Sequence, residues 1–248
     1  MTRPPKSIAL IIPALNEAES IGIQLSRLPR LYFAQIIVAD NGSKDRTAEV
    51  ARAAGAEVVF EPRRGYGRAC QAALAHLRPE IEAVMFMDAD LSDDAEDGER
   101  LASVFCAGGW DLVLGSRVLG KAESGSLTPA QRFGNWLTTR LIRWIWGVSF
   151  SDLGPLRILS RDALRRLDLR DPDFGWNVEM QVKAARLRFR VVEIPVDYHC
   201  RRFGRSKISS TLTGSARAGV KILWTVFRQW QASRRLPHSN RPESNDPI

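Results

Sequence analysis

Residues 8–17 read IALIIPALNE, an apolar run rich in β-branched residues that ends at Pro13 and gives way to polar residues. A continuous apolar run of this length is typical of a strand buried on both faces of a parallel sheet. Residues 17–28 then show helical spacing, with Ile21 and Leu25 on one side. The chain therefore starts with a buried strand that passes through a polar turn into an amphipathic helix.

The same alternation continues to residue 90. We predict further strands at 36–39, 56–60 and 83–87, with helices at 46–54 and 68–77 between them. Such alternation predicts a parallel α/β sheet with right-handed crossovers. Beyond residue 100 the pattern is weaker, and we predict strands at 112–114 and 191–196, helices at 133–148 and 212–230, and a mobile loop at 118–130.

Polar clusters follow four of the predicted strands. They are Asn16-Glu17, Asp40-Asn41, Arg63-Arg64-Gly65 and Asp88-Ala89-Asp90. Ligands of parallel α/β sheets bind beyond the carboxyl ends of the strands. The convergence of four strand ends on one edge therefore predicts a binding site there.

Asp88 and Asp90 follow the apolar run Val84-Met85-Phe86-Met87 directly. Residues two apart in an extended segment point the same way, so both carboxylates aim at one spot. Like charges this close need a positive partner, and Mg²⁺ takes one or two carboxylates plus substrate phosphates. The pair predicts a divalent-metal site; the alternative is an acidic loop that only solubilises the strand end.

Glu17 and Asp40 are candidates to accept hydrogen bonds from a ribose or a base, as acids do in dinucleotide folds. Glu17 is equally explained as a first-turn acid favoured by the helix dipole. The loop of Arg63, Arg64 and Gly65 is a candidate for a diphosphate contact through its cations and backbone N–H groups.

The chain has 248 residues and a net charge of +8, and residues 201–241 hold ten Lys or Arg without one acid. This imbalance indicates an anionic partner, such as a phosphate or an anionic lipid, or else a solvated basic surface. The candidate phosphate-binding cations are Arg117, Arg132, Arg201, Arg202, Arg205 and Lys207. Glu179 is a candidate base or a structural partner for one of these arginines, and we favour a structural or acceptor-binding role because buried arginines need partners.

Several classes of function lack their signatures. Three widely spaced cysteines give no disulfide framework or zinc site and fit a reducing cytosol. No run reaches about 18 apolar residues, so we expect no spanning helix, and a cytoplasmic protein with at most peripheral contact to the inner face of the plasma membrane. An RNA- or nucleotide-binding module is a remote alternative without an aromatic recognition motif, so we expect no nucleic-acid partner.

Taken together, the motifs resemble those of family 2 glycosyltransferases with the GT-A fold. The resemblance covers residues 7–210 and rests on IIPALNE at 11–17, VADNGS at 38–43 and Asp88-Ala89-Asp90. Gly115-Ser116-Arg117 and residues 202–207, RFGRSK, are similar to the dolichyl- or polyprenyl-phosphate hexosyltransferase branch. The fold so implied is a Rossmann-like α/β fold with a mixed, mainly parallel sheet flanked by helices.

The resemblance implies an inverting, metal-dependent hexosyltransferase that uses a UDP- or GDP-sugar and Mg²⁺ or Mn²⁺. The donor-binding residues would be Pro13, Leu15, Glu17, Asp40, Gly65, Asp88 and Ala89, with Asp88 and Asp90 at the metal. The acceptor or phosphate would be held by Arg117, Arg132, Glu179, Arg202, Arg205, Ser206 and Lys207. Asp88, Asp90, Arg117 and Arg132 would be the catalytic set.

The acceptor implied by the branch is a polyprenyl phosphate, which attacks without a general base because its second pKa is near 6. A small soluble acceptor is the alternative. The chain departs from the branch at Ser92, where Gln is usual, and at Asn135, where a small hydroxyl residue is common. We predict a catalytic domain at 1–210, a C-terminal amphipathic helix at 211–232 and a disordered tail at 233–248.

Overall fold

A computed structural model describes residues 7–204 and 212–234. Within them, one sheet holds the strands β1 Ile8–Ala14, β2 Phe33–Asp40, β3 Glu57–Phe60, β4 Ala83–Phe86, β5 Leu112–Ser116, β6 Arg157–Ser160 and β7 Val191–Pro195. The helices are α1 Ala18–Arg27, α2 Thr47–Ala53, α3 Tyr66–Leu74, α4 Ala95–Ala107, α5 Pro129–Trp146, α6 Arg161–Leu167, α7 Trp176–Arg186 and α8 Leu212–Arg234.

The strands lie in the order β3-β2-β1-β4-β6-β5-β7. Neighbouring strands are parallel from β3 to β4 and between β5 and β7, while β6 runs antiparallel to both β4 and β5. The predicted mixed, mainly parallel sheet is therefore confirmed. Because β1 is central and parallel to both neighbours, its carboxyl end lies between those of β2 and β4.

Helices cover both faces of the sheet. Alternate side chains of β1 enter different layers, since successive residues of a strand point to opposite faces. Ile8, Leu10 and Ile12 pack with the layer of α1, α2 and α4. Ala9 and Ile11 pack with the layer of α3, α5, α6, α7 and α8. Burial on both faces explains why β1 is apolar at every position rather than at every second one.

Four of these elements were not predicted from the sequence: α4, β6, α6 and α7. In α7 the buried residues run almost without a break from Trp176 to Ala185 and include Glu179, Gln181 and Lys183. A helix buried on nearly all sides has no amphipathic period to detect. α5 begins at Pro129, earlier than predicted, because Thr128 and Gln131 form a reciprocal capping box at its start.

The predicted loop at 118–130 is tied to the segment after β7. Tyr198 N donates to Lys121 O at 2.9 Å, and Glu123 N donates to Tyr198 O at 2.8 Å. α8 packs against α5 and α7, and its Val226 is buried in the same core. The division of the chain at residue 210 stays a prediction, and the predicted tail lies outside the described residues apart from the end of α8.

None of the helices in the described ranges is long and apolar enough to cross a lipid bilayer.

Candidate functional site

The turns after β1 and β2 are bound to each other. Asn16 N donates to Ser43 Oγ at 2.9 Å, and Asn16 Oδ1 accepts from Lys44 N at 2.7 Å. Glu17 N donates to Thr47 Oγ1 at 2.8 Å. Asn16 has a φ of 51°, a left-handed conformation that Asn tolerates better than most residues. These bonds fix the two acidic strand ends as one rim.

Asp40 is buried at the end of β2, where its Oδ1 accepts a hydrogen bond from Ser43 N at 2.9 Å. Glu17 is also buried, and its Oε2 accepts from Ser20 Oγ at 3.1 Å. Pro13 and Leu15 are half-buried on the same turn. The structure thus brings together the residues predicted to hold the nucleoside, although their contact with a donor stays a prediction.

Gly65 has a packing role at the next part of this rim. A Cβ on Gly65 would lie 2.2 Å from Pro172 O, and a Cβ on Gly67 would lie 1.9 Å from Asp171 O. The N–H of Gly65 donates to Asn41 Oδ1 at 2.8 Å. The glycines therefore permit close approach of the backbone at 171–172, and the predicted diphosphate contact at Gly65 is not needed to explain them.

The turn after β4 carries an acidic cluster, which we define as Asp88, Asp90 and Asp93. Asp93 Oδ2 accepts from Asp88 N at 3.0 Å, which folds the turn back on itself. Asp90 Oδ1 accepts from Ser92 N at 3.0 Å and from Ser92 Oγ at 2.5 Å. Ser92, the departure noted in the sequence, therefore orients one of the two predicted metal ligands.

The acidic cluster is short of positive charge. Burial raises the pKa of Asp88 well above its ordinary value, and the charges of Asp93 and Asp90 raise it further. Burial likewise raises the pKa of Asp93 to about 7, against the opposing effect of its hydrogen bond from Asp88 N. Both acids therefore lie where burial and neighbouring negative charge disfavour the ionised form.

Arg201 bridges the acidic cluster and the rim that carries Glu17 and Asp40. Its Nη2 lies 2.8 Å from Asp90 Oδ2, and its Nη1 lies 2.7 Å from Glu17 Oε1. Burial alone would lower the pKa of Arg201, but Asp90 and Glu17 raise it above its ordinary value. From the sequence, Arg201 was identified only as one of the cations, and no local pattern distinguished it from the other cations of residues 201–241.

Arg117 is already paired in this structure. Its Nε and Nη2 lie 2.7 and 2.8 Å from the two carboxylate oxygens of Asp152, a bidentate ion pair. Its guanidinium also lies over the ring of Tyr198, 4.9 Å from the centroid. Asp152 was not identified from the sequence, because a single acid 35 residues from its partner leaves no local pattern.

Arg157 is a second residue that sequence reasoning did not assign to the site. It is fully buried, and its guanidinium donates to backbone carbonyls, among them Asn177 O and Leu153 O at 3.3 Å each. Burial lowers the pKa of Arg157 to about 10. Burial and the charge of Asp88 raise the pKa of Tyr66, so the phenol, Arg157 and the acidic cluster lie in one electrostatic environment.

Glu179 is buried inside the protein and its oxygens are fully engaged. Oε2 accepts from Arg170 N and Asp171 N at 2.9 and 2.7 Å, and Oε1 lies 2.9 Å from Lys183 Nζ. Arg228 of α8 lies 3.6 Å from the same Oε1. These contacts give Glu179 structural partners, but Lys183 and Arg228 are not among the candidate phosphate-binding cations named from the sequence, and its acceptor-binding role stays a prediction.

The remaining predicted cations are on the surface or outside the described ranges. Arg132 is exposed in the first turn of α5, and Arg202 is exposed beside a cavity of about 190 Å³ that Asp93 and His199 also line. Arg205, Ser206 and Lys207 lie outside the described residues.

Within the described ranges, no three His, Cys, Asp or Glu side chains are grouped so that they could hold a metal ion by themselves. The predicted role of Asp88 and Asp90 as metal ligands therefore stays a prediction, and a divalent cation held there would need further oxygens from a substrate or water.

Several known proteins are similar to this chain in sequence or in fold. A model of the family described as glycosyl transferase family 2 matches residues 9–168. A relative from Mycobacterium tuberculosis, named an uncharacterized glycosyltransferase, is 38% identical over 222 residues, covering 89% of this chain and 98% of the relative. An undecaprenyl-phosphate mannosyltransferase of Micrococcus luteus is 29% identical, and the match covers 92% of this chain and 97% of that protein.

Among solved structures, glucosyl-3-phosphoglycerate synthase of Mycobacterium tuberculosis, crystallised with Mn²⁺, UDP and glucosyl-3-phosphoglycerate, has a TM-score of 0.73. It is 22% identical, and the match covers 94% of this chain and 82% of that one. This likeness shows a shared fold.

Proposed function

The chain belongs to glycosyl transferase family 2, and from this premise we propose that it transfers a hexose from a UDP- or GDP-sugar to a polyprenyl phosphate. The observation that carries the proposal is the charge imbalance of the acidic cluster. In the described part of the chain, the ion pairs of this cluster and of Glu17 are made by one guanidinium, that of Arg201. Arg117 is engaged by Asp152.

On the donor side, Glu17 and Asp40 would hold the nucleoside on the rim that Pro13 and Leu15 help to form. Asp88 and Asp90 would hold Mg²⁺ or Mn²⁺, which takes one or two carboxylates together with substrate phosphates. A bound cation would supply positive charge to the diphosphate as the sugar departs. The residues fit this role because burial first, and neighbouring carboxylates second, raise the pKa values of Asp88 and Asp93, and a divalent cation would favour their ionised forms.

On the acceptor side, Arg132, Arg202 and the segment from Arg205 to Lys207 would hold a phosphate, with Arg117 adding its remaining N–H groups. A phosphate monoester is ionised at neutral pH, so its oxygen attacks the anomeric carbon without a general base. The new C–O bond forms as the bond to the nucleoside diphosphate breaks, and the anomeric configuration inverts.

The lipid nature of the acceptor is supported by the relative named undecaprenyl-phosphate mannosyltransferase, which matches over nearly the whole of both chains. The phosphate of such a lipid lies among the headgroups, so the proposed enzyme would meet its acceptor at the membrane surface.

The test is incubation of the purified protein with UDP-glucose or GDP-mannose, Mn²⁺ and undecaprenyl phosphate in detergent, followed by mass spectrometry of the lipid fraction. The expected product is one hexosyl undecaprenyl phosphate per nucleoside diphosphate released. The variant Asp90→Asn should abolish it, whereas Asp162→Asn, at an acid that is 76% exposed, should not.

A parallel reaction with 3-phosphoglycerate tests the soluble acceptor. Sugar transfer to that acid without any lipid product would overturn the polyprenyl phosphate proposal while leaving the transferase in place. No transfer from a panel of UDP- and GDP-hexoses to either acceptor, by a protein that is folded, would overturn the proposed function.

A further inference from the structure

Helix α5 has apolar residues on two opposite sides. Its buried side carries Thr138 and Ile142. The opposite side is exposed, yet it presents Phe133, Trp136 and Trp144, with exposed fractions of 61%, 53% and 84%. At 100° per residue these three rings fall within about 80° of one another around the helix. A surface helix normally places polar residues on its solvent side, so this aromatic side is unexplained by folding.

Helix α8 repeats the arrangement. Thr225, Val226 and Gln229 are buried, whereas Val220 and Trp224 are 69% and 56% exposed on the opposite side. Leu223 and Phe227 are exposed there too. Trp224 and Phe227 have ring centroids 5.8 Å apart, so the exposed rings form a continuous apolar strip.

The two helices share an unusual composition. They pack against each other and hold five of the seven tryptophans of the chain, while none of its 28 acids lies in either helix. The cations whose side chains the structure describes in them are Arg132, Arg140, Arg143, Lys221 and Arg228. Lys221 and Arg228 pair with the buried acids Asp171 and Glu179, so the cations that face outward are the three arginines of α5. Arg140 lies over the ring of Trp136, 5.9 Å from its centroid, which places a positive charge beside the exposed aromatic side chains of α5.

We propose that the exposed sides of α5 and α8 together form a docking surface for an anionic lipid bilayer. Tryptophan and phenylalanine enter the boundary between headgroups and acyl chains, and Arg and Lys are attracted by anionic headgroups. A second copy of the chain is a poorer occupant, because two acid-free, cationic helix pairs would face each other.

The docking surface is joined to the site. α5 begins after the loop that follows Arg117, and its Asn135 holds the segment that carries Asp152. Asn135 Nδ2 donates to Ser151 O at 3.2 Å, and Asn135 Oδ1 accepts from Leu153 N at 2.8 Å. A bilayer under α5 would therefore place lipid headgroups near Arg117. This part of the inference rests on the proposed function, whereas lipid binding itself does not.

The experiment is co-sedimentation of the full chain with vesicles of phosphatidylcholine, with and without one-quarter phosphatidylglycerol. The expected result is binding to the anionic vesicles, weakened by salt. The double variant Trp136→Ala, Trp144→Ala and the variant Trp224→Ala should each bind at least tenfold more weakly. Phe133→Ala should weaken binding, whereas Phe60→Ala, which removes a ring of the same 61% exposure at the edge strand β3, should not.

The docking surface is overturned if the wild-type chain does not sediment with anionic vesicles, or if the tryptophan variants bind them as tightly as the wild type. It is also overturned if the chain self-associates without lipid through a surface that contains these tryptophans. Displacement of the vesicles by stoichiometric RNA would overturn it in favour of nucleic acid as the occupant. A short-chain isoprenyl phosphate in detergent separates this inference from the proposed function. The tryptophan variants should glycosylate this soluble acceptor at the wild-type rate. If the wild-type protein binds anionic vesicles but transfers no sugar, only the proposed function is rejected and the docking surface stands.

Discussion

The acidic cluster and the Arg117–Asp152 pair are two buried groups of charges at one edge of the sheet, and they differ in balance. Burial would raise the pKa of Asp152, but its two bonds with Arg117 lower the pKa below its ordinary value. In the acidic cluster, burial and mutual repulsion raise the pKa values of Asp88 and Asp93. One group is balanced by the protein alone, and we expect the other to be balanced by an added cation.

The largest expected effect is on catalysis. Asp90→Asn should lower kcat/KM by about 1000-fold, because it removes a carboxylate that holds the proposed cation against the diphosphate. Steady-state kinetics of hexose transfer measure it, with Asp162→Asn as the control. A rate within about threefold of wild type would show that the imbalance of the acidic cluster has no catalytic use.

Asp152→Asn should act mainly on stability. Arg117 would lose its only carboxylate partner in the described part of the chain, and leaving such a charge buried costs about 3 kcal/mol of the free energy of unfolding. Urea denaturation measures the loss. As a control, Asp168→Asn breaks the exposed pair with Arg170 and should leave the free energy of unfolding nearly unchanged, because water screens exposed pairs. If the two substitutions lowered the free energy of unfolding equally, the buried pair would be no more important for stability than the exposed one.

Asp93→Asn should raise the free energy of unfolding at neutral pH, whereas Asp152→Asn should lower it. Because the pKa of Asp93 is about 7 in the folded state and near 4 when unfolded, the folded chain binds more protons between pH 4 and 7. Wild-type stability therefore falls as the pH rises through this window. The neutral Asn should be about 2 kcal/mol more stable than wild type at pH 8 and no more stable at pH 4. If the free energies of unfolding of wild type and variant changed in parallel with pH, the ionisation of Asp93 would not be the cause of the pH dependence.

Arg201→Gln should produce the smallest change. Arg201 occupies Asp90 and competes with a metal ion for it, so its removal should tighten Mn²⁺ binding without donor by about tenfold. Isothermal titration calorimetry measures the affinity, and Arg202→Gln, at the exposed neighbouring cation, provides the control. Weaker binding of Mn²⁺ by the Arg201 variant would mean that the guanidinium organises the acidic cluster rather than competing for it.

The first half of the fold was predictable because continuous apolar runs there alternate with helical spacing, and polar residues follow each run. The run that predicted β1 stopped at Pro13, although the strand continues to Ala14, and Asp88 follows another run directly. Asp88, Asp90, Glu17 and Asp40 were chosen as candidates because parallel strands deliver their carboxyl ends to one edge of the sheet, and their roles stay predictions.

The pairings within the site were not predictable in this way. Arg201 and Glu17 are 184 positions apart, and their ion pair depends on how the segment after β7 folds back across the sheet. Arg117 was predicted to bind phosphate from its type and motif, but its bidentate bond with Asp152 required coordinates. Arg157 sits in a short antiparallel strand that has no period long enough to recognise.

The close approach at Gly67 couples distant parts of the molecule mechanically. A Cβ at Gly67 would lie only 1.9 Å from Asp171 O, so α3 and the 171–172 backbone are in direct contact there. Asp171 in turn pairs with Lys221 of α8 at 3.1 Å, and Gly65 bonds Asn41 beside Asp40. A tilt of α8 on a surface would therefore act through the Lys221–Asp171 ion pair on the 171–172 backbone, and through its close contact with α3 on the turn that holds Asn41 and Asp40.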